Sequence, residues 1–342
     1  MMKRWLLILC FVLLPFAKAD AFDMKEYLFG HIMDSYEWHI TTWGEKHISI
    51  PLPVIIVDRN QGLSVFSSSR LAHGESYKGY FIAEDGIFEG RVVSRGEDGE
   101  IVRPLDLSLT KNALAIVISG LILIWLILAC SSWYRRHDVL KETPGGLAAV
   151  LEPVITMIDK EVIKSSIGEG YERFSPYLLT AFFFILINNL LGIVPFFPGG
   201  ANVTGNIAVT LSLAVFTFLA VNLFGNRHYF KEIFWPDVPI FLKAIPIMPL
   251  IEFIGLFTKP FSLMVRLFAN ILAGHILVLS VIAMVFITAR LGAVLNGSLS
   301  FVAVLFGIFM DCLEILVAFI QAYVFTMLSA VFIGMAHPQA HK

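Results

Sequence analysis

An arginine inside a long apolar stretch most constrains what this chain can fold into. Arg266 lies in a run that is predominantly apolar over residues 246–289. Arginine stays protonated in proteins, and placing it at the centre of a bilayer costs at least roughly 2.5–3.5 kcal/mol. A nearby carboxylate would offset that cost, but no Asp or Glu occurs between Glu252 and Asp311. Arg266 therefore either takes a carboxylate from elsewhere or lies at an interface and snorkels.

The composition is that of an integral membrane protein. Of the 342 residues, 57% are hydrophobic and 15% are charged. Soluble domains carry about 25% charged residues, so this chain is far too apolar for that class. The net charge of −2 gives no basis for nucleic-acid binding. Cys10, Cys130 and Cys312 lie in apolar segments and predict no disulfide or metal cluster.

Residues 1–19 have the pattern of a cleaved secretory signal peptide. Two basic residues precede an apolar stretch over 5–16, and residues 17–19 form an A-x-A cleavage site. An uncleaved anchor is the alternative, but an apolar stretch of about 12 residues is shorter than the roughly 20 that a span needs. Cleavage would place residues 20–110 in the periplasm.

Residues 20–110 predict a small, β-leaning periplasmic extension. Apolar and polar residues alternate over 47–50 and 52–57, and turn signals rich in Asp and Gly separate such stretches. The histidines of this region lack metal-ligand spacing, so we interpret them as surface residues. The pattern indicates no function for the extension.

The membrane domain, residues 111–342, begins with a predicted span at 114–132, where about 19 apolar residues are enough to cross a bilayer. A basic stretch at 134–137 follows and marks the cytoplasmic end. Residues 145–167 place apolar positions at helical spacing among charged ones, which predicts an interfacial amphipathic helix. The apolar stripe of this helix consists of Leu147, Val150, Leu151, Val154, Ile158 and Val162.

Two further spans are predicted at residues 177–197 and 207–224. The loop between them has no Lys or Arg, as expected of an outer loop, whereas the next connection carries Arg227, Lys231 and Lys243. The chain therefore crosses inward, outward and inward again.

The last two apolar runs, 246–289 and 299–335, are too long for ordinary spans. A continuous helix over the second run would be about 55 Å long against a hydrocarbon core of about 30 Å. A turn that splits either run would solve this problem, but only weak breakers such as Gly274 and Gly307 occur inside them. We predict two long, strongly tilted helices packed as an antiparallel hairpin. The expected fold is thus an all-α polytopic membrane protein with about five membrane helices, one interfacial helix and a small β-leaning region.

Polar residues of the hairpin lie on defined helix faces. At 100° per residue, four polar side chains lie within about 40° of Arg266: Glu252, Lys259, Ser262 and Asn270. His275 lies about 180° away, on the opposite face. On the last helix, Glu314 and Gln321 share a face, with Asp311 about 60° away.

One antiparallel register aligns two pairs of these residues. His275 follows Arg266 by nine positions and Glu314 precedes Gln321 by seven. The register that sets Arg266 level with Gln321 therefore sets His275 nearly level with Glu314. Glu314 then lies roughly 10 Å along the helix from the level of Arg266. The carboxylate that Arg266 requires is best supplied by another chain.

These residues resemble a known family, subunit a of the rotary ATP synthase. The likeness covers the chain from about Ser108 to its end, and residues 20–107 have no clear counterpart in it. Its matching motifs are Arg266-Leu267-Phe268-x-Asn270-x-x-Ala273-Gly274, the preceding Glu252 and Lys259-Pro260-x-Ser262, and Glu314 ahead of Gln321-Ala322.

The resemblance implies a role for each matching residue near the arginine. Arg266 corresponds to the essential arginine of the family, which faces each c-subunit carboxylate as the ring turns and separates two aqueous half-channels. Asn270 and Gln321 correspond to polar neighbours of that arginine.

The resemblance also assigns residues to the two half-channels. His275 and Glu314 match a pair that lines the outer half-channel, and Glu252 and Ser262 match polar positions toward the inner one. Asp311 lies beside Glu314, and carboxylates at membrane depth are functional by default.

The family resemblance implies partners and a location. These are the c-ring proteolipid subunits, the peripheral-stalk b subunits, the rest of the ATP synthase complex and membrane lipid, in the bacterial inner membrane. ATP turnover would belong to other subunits, so the chain is expected to be non-catalytic and to need no cofactor. A secondary ion transporter or stand-alone channel is the alternative, because intramembrane charges also mark ion paths there. A membrane hydrolase is a weaker interpretation, since the sequence lacks H-E-x-x-H and G-x-S-x-G.

Overall fold

The computed structural model describes residues 33–43, 46–58, 62–96, 99–138, 141–194, 197–234, 247–288 and 293–337. The predicted signal peptide at 1–19 lies outside the described residues. The described residues divide into two compact units, which we treat separately. One unit comprises the residues up to Leu114 together with Ile276–Met310, and the other comprises Ala115–His275 together with the residues from Asp311 onward.

Short strands form the N-terminal part of the first unit, as the alternating sequence predicts. Those in the described residues are β1 (Glu37–Trp43), β2 (Lys46–Pro51), β3 (Pro53–Asp58), β4 (Gly62–Ser67), β5 (Tyr80–Ile82), β6 (Val92–Arg95), β7 (Ile101–Val102) and β8 (Leu105–Asp106). They form three small sheets in the orders β1-β2, β4-β3-β8 and β5-β6-β7, with antiparallel pairing throughout.

A small core holds these strands together. Its buried side chains are Tyr36, Val54, Ile56, Phe66, Leu71, Tyr80 and Val92. Val54 and Ile56 point to the same side because side chains alternate along a strand. The hydroxyl of Tyr36 donates a hydrogen bond to the Asp106 carboxylate and accepts one from the Val92 N–H at 3.2 Å. This region therefore has its own buried core and a buried polar contact.

Seven α-helices of eight or more residues occur in the described part of the chain. They are α1 (Lys111–Arg136), α2 (Leu147–Thr156), α3 (Ser175–Ile193), α4 (Ile207–Leu223), α5 (Arg227–Phe234), α6 (Ile247–Thr288) and α7 (Ala293–Ala336). Within α1, α3, α6 and α7, the chain is long and apolar enough to cross a membrane, and α4 is a shorter apolar helix. The predicted polytopic helical membrane fold is confirmed.

The amphipathic segment predicted at 145–167 has a change of helix type within it. It begins as α2, continues with π-helical hydrogen bonding over Met157–Lys164, and ends with a single α-turn at Ser165–Ile167. A π-helix has more residues per turn than an α-helix, so it shifts the phase of the apolar stripe. The buried positions of the segment are Ala148, Ile158, Val162, Ile163 and Ile167.

The first two positions of the predicted stripe lie on the surface of the protein. Leu147 and Val150 are 42% and 67% exposed, whereas Leu151 and Val154 pack against the buried core. Exposed apolar side chains are what an interfacial helix presents to lipid.

The two helices of the hairpin are continuous, as their apolar length predicts. α6 has 42 residues and α7 has 44, and Pro260 lies inside α6 without ending it. α7 begins at Ala293, before the predicted start at 299. Small residues at one-turn spacing, including Ala318 and Ala322, are buried along α7 and permit close helix packing.

Candidate functional site

The face of α6 that carries the arginine is exposed. Leu263 and Leu267 are buried on the packed side of this helix. Helical periodicity turns the intervening polar residues outward, and Ser262, Arg266 and Asn270 are all exposed. These three side chains, predicted to share a face, form a polar row one turn apart on an otherwise apolar helix surface.

Arg266 has no counter-charge within the chain as far as the structure describes it. Among the described residues, its guanidinium makes no ion pair and no hydrogen bond. Glu314, which the register placed out of reach, is instead in contact with His275. The free energy of placing this arginine at membrane depth is therefore not offset by a carboxylate of the chain.

Asn270 and Gln321 connect the two long helices. The Asn270 amide donates to the Gln321 side-chain oxygen at 2.9 Å, and Gln321 is 3% exposed. The sequence register set Gln321 level with Arg266, whereas its hydrogen bond goes to the residue one turn further along α6. A buried side-chain amide requires a partner, and the amide of Asn270 provides one between the helices.

His275 and Glu314 form a shielded imidazole–carboxylate pair at the position that the hairpin register predicts. His275 Nδ1 lies 2.9 Å from Glu314 Oε1, and the two side chains are 14% and 8% exposed. The approach lacks the directionality of a hydrogen bond, so the contact is chiefly electrostatic. Asp311, one turn before Glu314, is exposed and makes no ion pair among the described residues.

Two glycines leave room for this pair. A Cβ added at Gly192 on α3 would lie 3.2 Å from His275 Nε2. A Cβ added at Gly274 would lie 3.3 Å from Glu314 Oε1. The sequence analysis placed Gly274 in the matching motif and interpreted it as a weak helix breaker, without a role beside Glu314, and it missed Gly192. The available signal was a glycine within an apolar helix, which often marks a close approach of another group.

A buried polar contact lies one turn from Gly192 on α3. Asn189 donates to the Ala318 carbonyl at 3.3 Å and accepts from the Thr204 hydroxyl at 2.6 Å. Neither Asn189 nor Thr204 was predicted from the sequence to belong to the site. They add polar groups to the side of α3 from which Gly192 approaches His275.

Glu252 and Lys259, toward the other end of α6, contact residues outside the His275–Glu314 pair. Glu252 is exposed and lies near Tyr229 of α5, where burial and then the Glu252 charge raise the pKa of the tyrosine hydroxyl. Lys259 Nζ lies 5.8 Å from the ring centroid of Phe332, in a cation–π contact. Neither residue contacts the His275–Glu314 pair.

The fold and the site together define a class of protein. It is a polytopic membrane protein in which one exposed arginine and one shielded imidazole–carboxylate pair lie on two helices of unusual length. Within the part of the chain that the structure covers, no three metal-ligating side chains come together. The polar groups of the site can hold and exchange protons.

Known proteins match this class. The ATP synthase A chain family matches residues 113–334, and a domain of unknown function (DUF8433) matches residues 27–107. ATP synthase subunit a of Chloroherpeton thalassium is 43% identical over 236 residues, 68% of this chain and 67% of that protein. The Chlorobium phaeobacteroides (strain DSM 266) subunit is 42% identical over 283 residues, 79% of this chain and 78% of its own. The Myxococcus xanthus subunit is 40% identical over 260 residues, 73% of this chain and 80% of its own.

This chain belongs to the ATP synthase A chain family. It is a membrane-embedded stator subunit of a proton-translocating ATP synthase and part of that complex. Membership of this family argues against the alternative of a secondary transporter or stand-alone channel.

Proposed function

We propose that this chain provides two aqueous half-channels to the c-ring and that Arg266 separates them. The observation that carries this proposal is the exposure of Arg266 on α6, together with the lack of a carboxylate partner among the described residues. A fixed cation at membrane depth requires a counter-charge. A carboxylate on each c-ring proteolipid subunit supplies one as the ring turns.

The proposed mechanism is electrostatic. A ring carboxylate that faces lipid is neutral, because a low-dielectric environment disfavours its charged form. Beside Arg266 the positive charge favours the ionised form, and the proton leaves into one half-channel. After passing Arg266, the carboxylate is reprotonated from the other half-channel and re-enters lipid. Arg266 also repels a cation that would pass directly between the half-channels, so protons cross only when the ring rotates.

The outer half-channel is assigned to the His275–Glu314 pair. An imidazole and a carboxylate 2.9 Å apart can exchange a proton, and both are largely shielded from solvent. Asp311 lies one turn from Glu314 and extends this polar path, and the contact between Asn189 and Thr204 adds hydrogen-bonding groups beside it.

The inner half-channel is assigned to the opposite end of the polar face on α6. Glu252 and Ser262 are both exposed on this helix, on the other side of Arg266 from His275. Asn270 and Gln321, joined by their hydrogen bond, form the polar boundary next to the arginine. Their contact supports a role in holding the two helices in register at the point where the half-channels meet.

The distribution of basic residues indicates how the chain is oriented in the membrane. Arg135 and Arg136 end α1, and Arg227 and Lys231 follow α4, so the same side of the membrane carries both basic groups. We assign this side to the cytoplasm of a bacterial inner membrane, with the N-terminal region periplasmic and the C-terminus cytoplasmic. The peripheral-stalk b subunits are the expected stator partners.

Replacing the arginine tests the proposal. Arg266→Ala is expected to abolish ATP-driven proton pumping in inverted membrane vesicles, measured as quenching of a pH-sensitive dye. Lys259→Ala removes the other cation of α6, which lies against Phe332, and is the matched control. It is expected to retain pumping. Coupled pumping by the Arg266→Ala variant would refute the assignment.

A further inference from the structure

The second sheet of the N-terminal region is apolar on both of its faces. Val54, Ile56 and Phe66 point into the core from one face. The opposite face belongs to strands β4 and β3 and to the chain that continues β8. Its side chains are Leu63, Val65, Ile55, Val57, Leu105 and Leu107.

These six side chains form two adjacent rows across the three strands. In the first row, Val57 lies opposite Leu63 on one side and Leu105 on the other. The second row consists of Val65, Ile55 and Leu107. We call the two rows the apolar sheet face. It is contiguous, because neighbouring strands lie about 4.8 Å apart and same-face residues about 7 Å apart.

The apolar sheet face is uncovered within the described residues. Leu63, Val65, Leu105 and Leu107 are 67%, 59%, 61% and 58% exposed. An antiparallel sheet with one face in water ordinarily carries polar side chains on that face. A contiguous exposed apolar patch instead marks contact with a protein or a membrane.

Hydrogen bonds from main-chain N–H groups fix the segment between this sheet and the first turn of α1, so that no free linker separates them. The N–H groups of Leu107 and Leu109 donate to carbonyls of β3 at 2.9 and 3.1 Å. The Lys111 N–H donates to the Ser35 carbonyl at 2.9 Å, and the Asn112 N–H donates to the Asp34 carboxylate at 3.0 Å. The sheet and the first turn of α1 belong to the same compact unit. The apolar sheet face is therefore anchored next to the point where the chain enters the membrane.

The area of the apolar sheet face indicates whether a second copy of the chain or lipid covers it. The six side chains expose a few hundred Å² of accessible surface, the size that the largest apolar patches of soluble monomers reach. A stable protein–protein interface needs about 800 Å² from each partner, so a second copy of the chain would require much more surface. A bilayer surface requires no such minimum, because the covalent connection to α1 already holds the sheet beside it.

We propose that the apolar sheet face lies on the bilayer surface at which α1 begins, with its side chains among the lipid headgroups and upper acyl chains. Leu107 precedes Lys111 by four residues, a backbone distance of at most about 14 Å. The interfacial zone is about 5–8 Å thick on each side of the hydrocarbon core. A sheet that inclines toward the membrane therefore brings the second row, which contains Leu107, to the lipid, and a sheet that lies flat brings the first row there as well.

Spin labels on the apolar sheet face test this placement. In a background with Cys10, Cys130 and Cys312 replaced by serine, Val65→Cys and Leu105→Cys are labelled separately. The assembled ATP synthase is reconstituted in vesicles of phosphatidylethanolamine and phosphatidylglycerol. Collision rates of each label with oxygen, which concentrates in lipid, and with a water-soluble nickel chelate are then measured.

The matched control is Ser76→Cys, at an exposed position elsewhere in the same region. Relative to this control, both test labels are expected to have several-fold lower collision rates with the chelate and higher rates with oxygen. Chelate access equal to that of the control would overturn the proposal, because the face would be in water. Low access to both reagents would also overturn it, because protein would then cover the face. Leu63→Cys, in the same row as Leu105, repeats the measurement if one of the first variants assembles poorly.

Discussion

The residues of the site differ in the groups that they contact. Glu314 is engaged by His275 at 2.9 Å, so it is not a standing partner for Arg266. Gln321 is engaged by Asn270 at 2.9 Å. The guanidinium thus remains the one member of this group without a contact among the described residues. This division supports separate roles, with a proton-exchanging pair on one side and a fixed charge on the other.

Gly192 provides a test of the pair that leaves every charge in place. In Gly192→Ala the new methyl would lie 3.2 Å from His275 Nε2, which forces the ring to shift by a few tenths of an ångström. A displaced ring holds its nitrogen out of line with the Glu314 carboxylate, and a misplacement of about 1 Å can cost roughly 100-fold in rate. We expect roughly tenfold slower proton flux through the assembled membrane sector, measured in vesicles under an imposed potential.

Two variants set the scale for that measurement. Glu314→Gln removes the charge of the pair and is expected to slow flux without uncoupling it from ATP hydrolysis. Gly255→Ala adds a methyl on α6 where no atom lies within 4 Å, so flux is expected to stay unchanged. Flux in Gly192→Ala equal to that in Gly255→Ala would show that the position of the His275 ring does not limit proton transfer.

At the scale of elements, the long helices were predictable and their exact contacts were not. Uninterrupted apolar runs predicted α6 and α7, because no strong turn signal divides them. The antiparallel register also predicted the contact between His275 and Glu314, because one alignment of two antiparallel helices fixes which residues lie level along their whole length. The register set Gln321 level with Arg266, but Gln321 bonds to Asn270, one helical turn further along α6. Side-chain length and burial decide which group reaches Gln321, and the register contains neither.

The amphipathic segment shows a second limit of pattern reading. Its apolar spacing predicted one continuous stripe from Leu147 to Val162. The segment instead changes to π-helical hydrogen bonding over Met157–Lys164, which the apolar spacing did not indicate. Nothing in single-residue preferences marks the position of such a change in hydrogen bonding.

The N-terminal strands depend on the hydroxyl of Tyr36, which we expect to be essential for their stability. Tyr36→Phe would leave the Asp106 carboxylate and the Val92 N–H without this partner, at a cost of about 1–3 kcal/mol. Faster hydrogen exchange at Val92 in the assembled complex would report the loss. Tyr77→Phe is the control, because the Tyr77 hydroxyl makes no hydrogen bond among the described residues.

The same hydroxyl predicts a pH dependence for this region. Burial, followed by the hydrogen bond to Asp106, raises the pKa of Tyr36 from 10.0 to about 12. Because the pKa is higher in the folded state, Tyr36 ionises at a lower pH in the unfolded chain. Its contribution to the free energy of unfolding is therefore complete below about pH 10 and is lost as the pH rises toward 12. In Tyr36→Phe this alkaline decrease in the protection of Val92 should be smaller. An identical decrease in both proteins would show that Tyr36 is not its source.

At the scale of the whole molecule, the chain combines two segments that match different family models. Residues 113–334 belong to the ATP synthase A chain family, and residues 27–107 match a separate domain of unknown function. The sequence resemblance found the first segment through intramembrane polar residues. It found no counterpart for the second, whose apolar sheet face depends on strand pairing between distant parts of the chain.

The central claim is that the charge of Arg266 is matched by a carboxylate on a neighbouring chain. Ala273 lies about 20° around α6 from Arg266 and is exposed, whereas the exposed Phe261 lies about 140° away. Cysteine variants at these two positions can each carry a photoreactive label in the assembled complex. Mass spectrometry then identifies the chain to which each label becomes attached.

The label at Ala273→Cys is expected to attach to a c-ring proteolipid, within a turn or two of its membrane carboxylate. The label at Phe261→Cys is expected to attach to lipid or to other subunits. If Ala273→Cys yields no proteolipid product, or both positions yield it equally, the arginine face does not meet the ring and the account is contradicted.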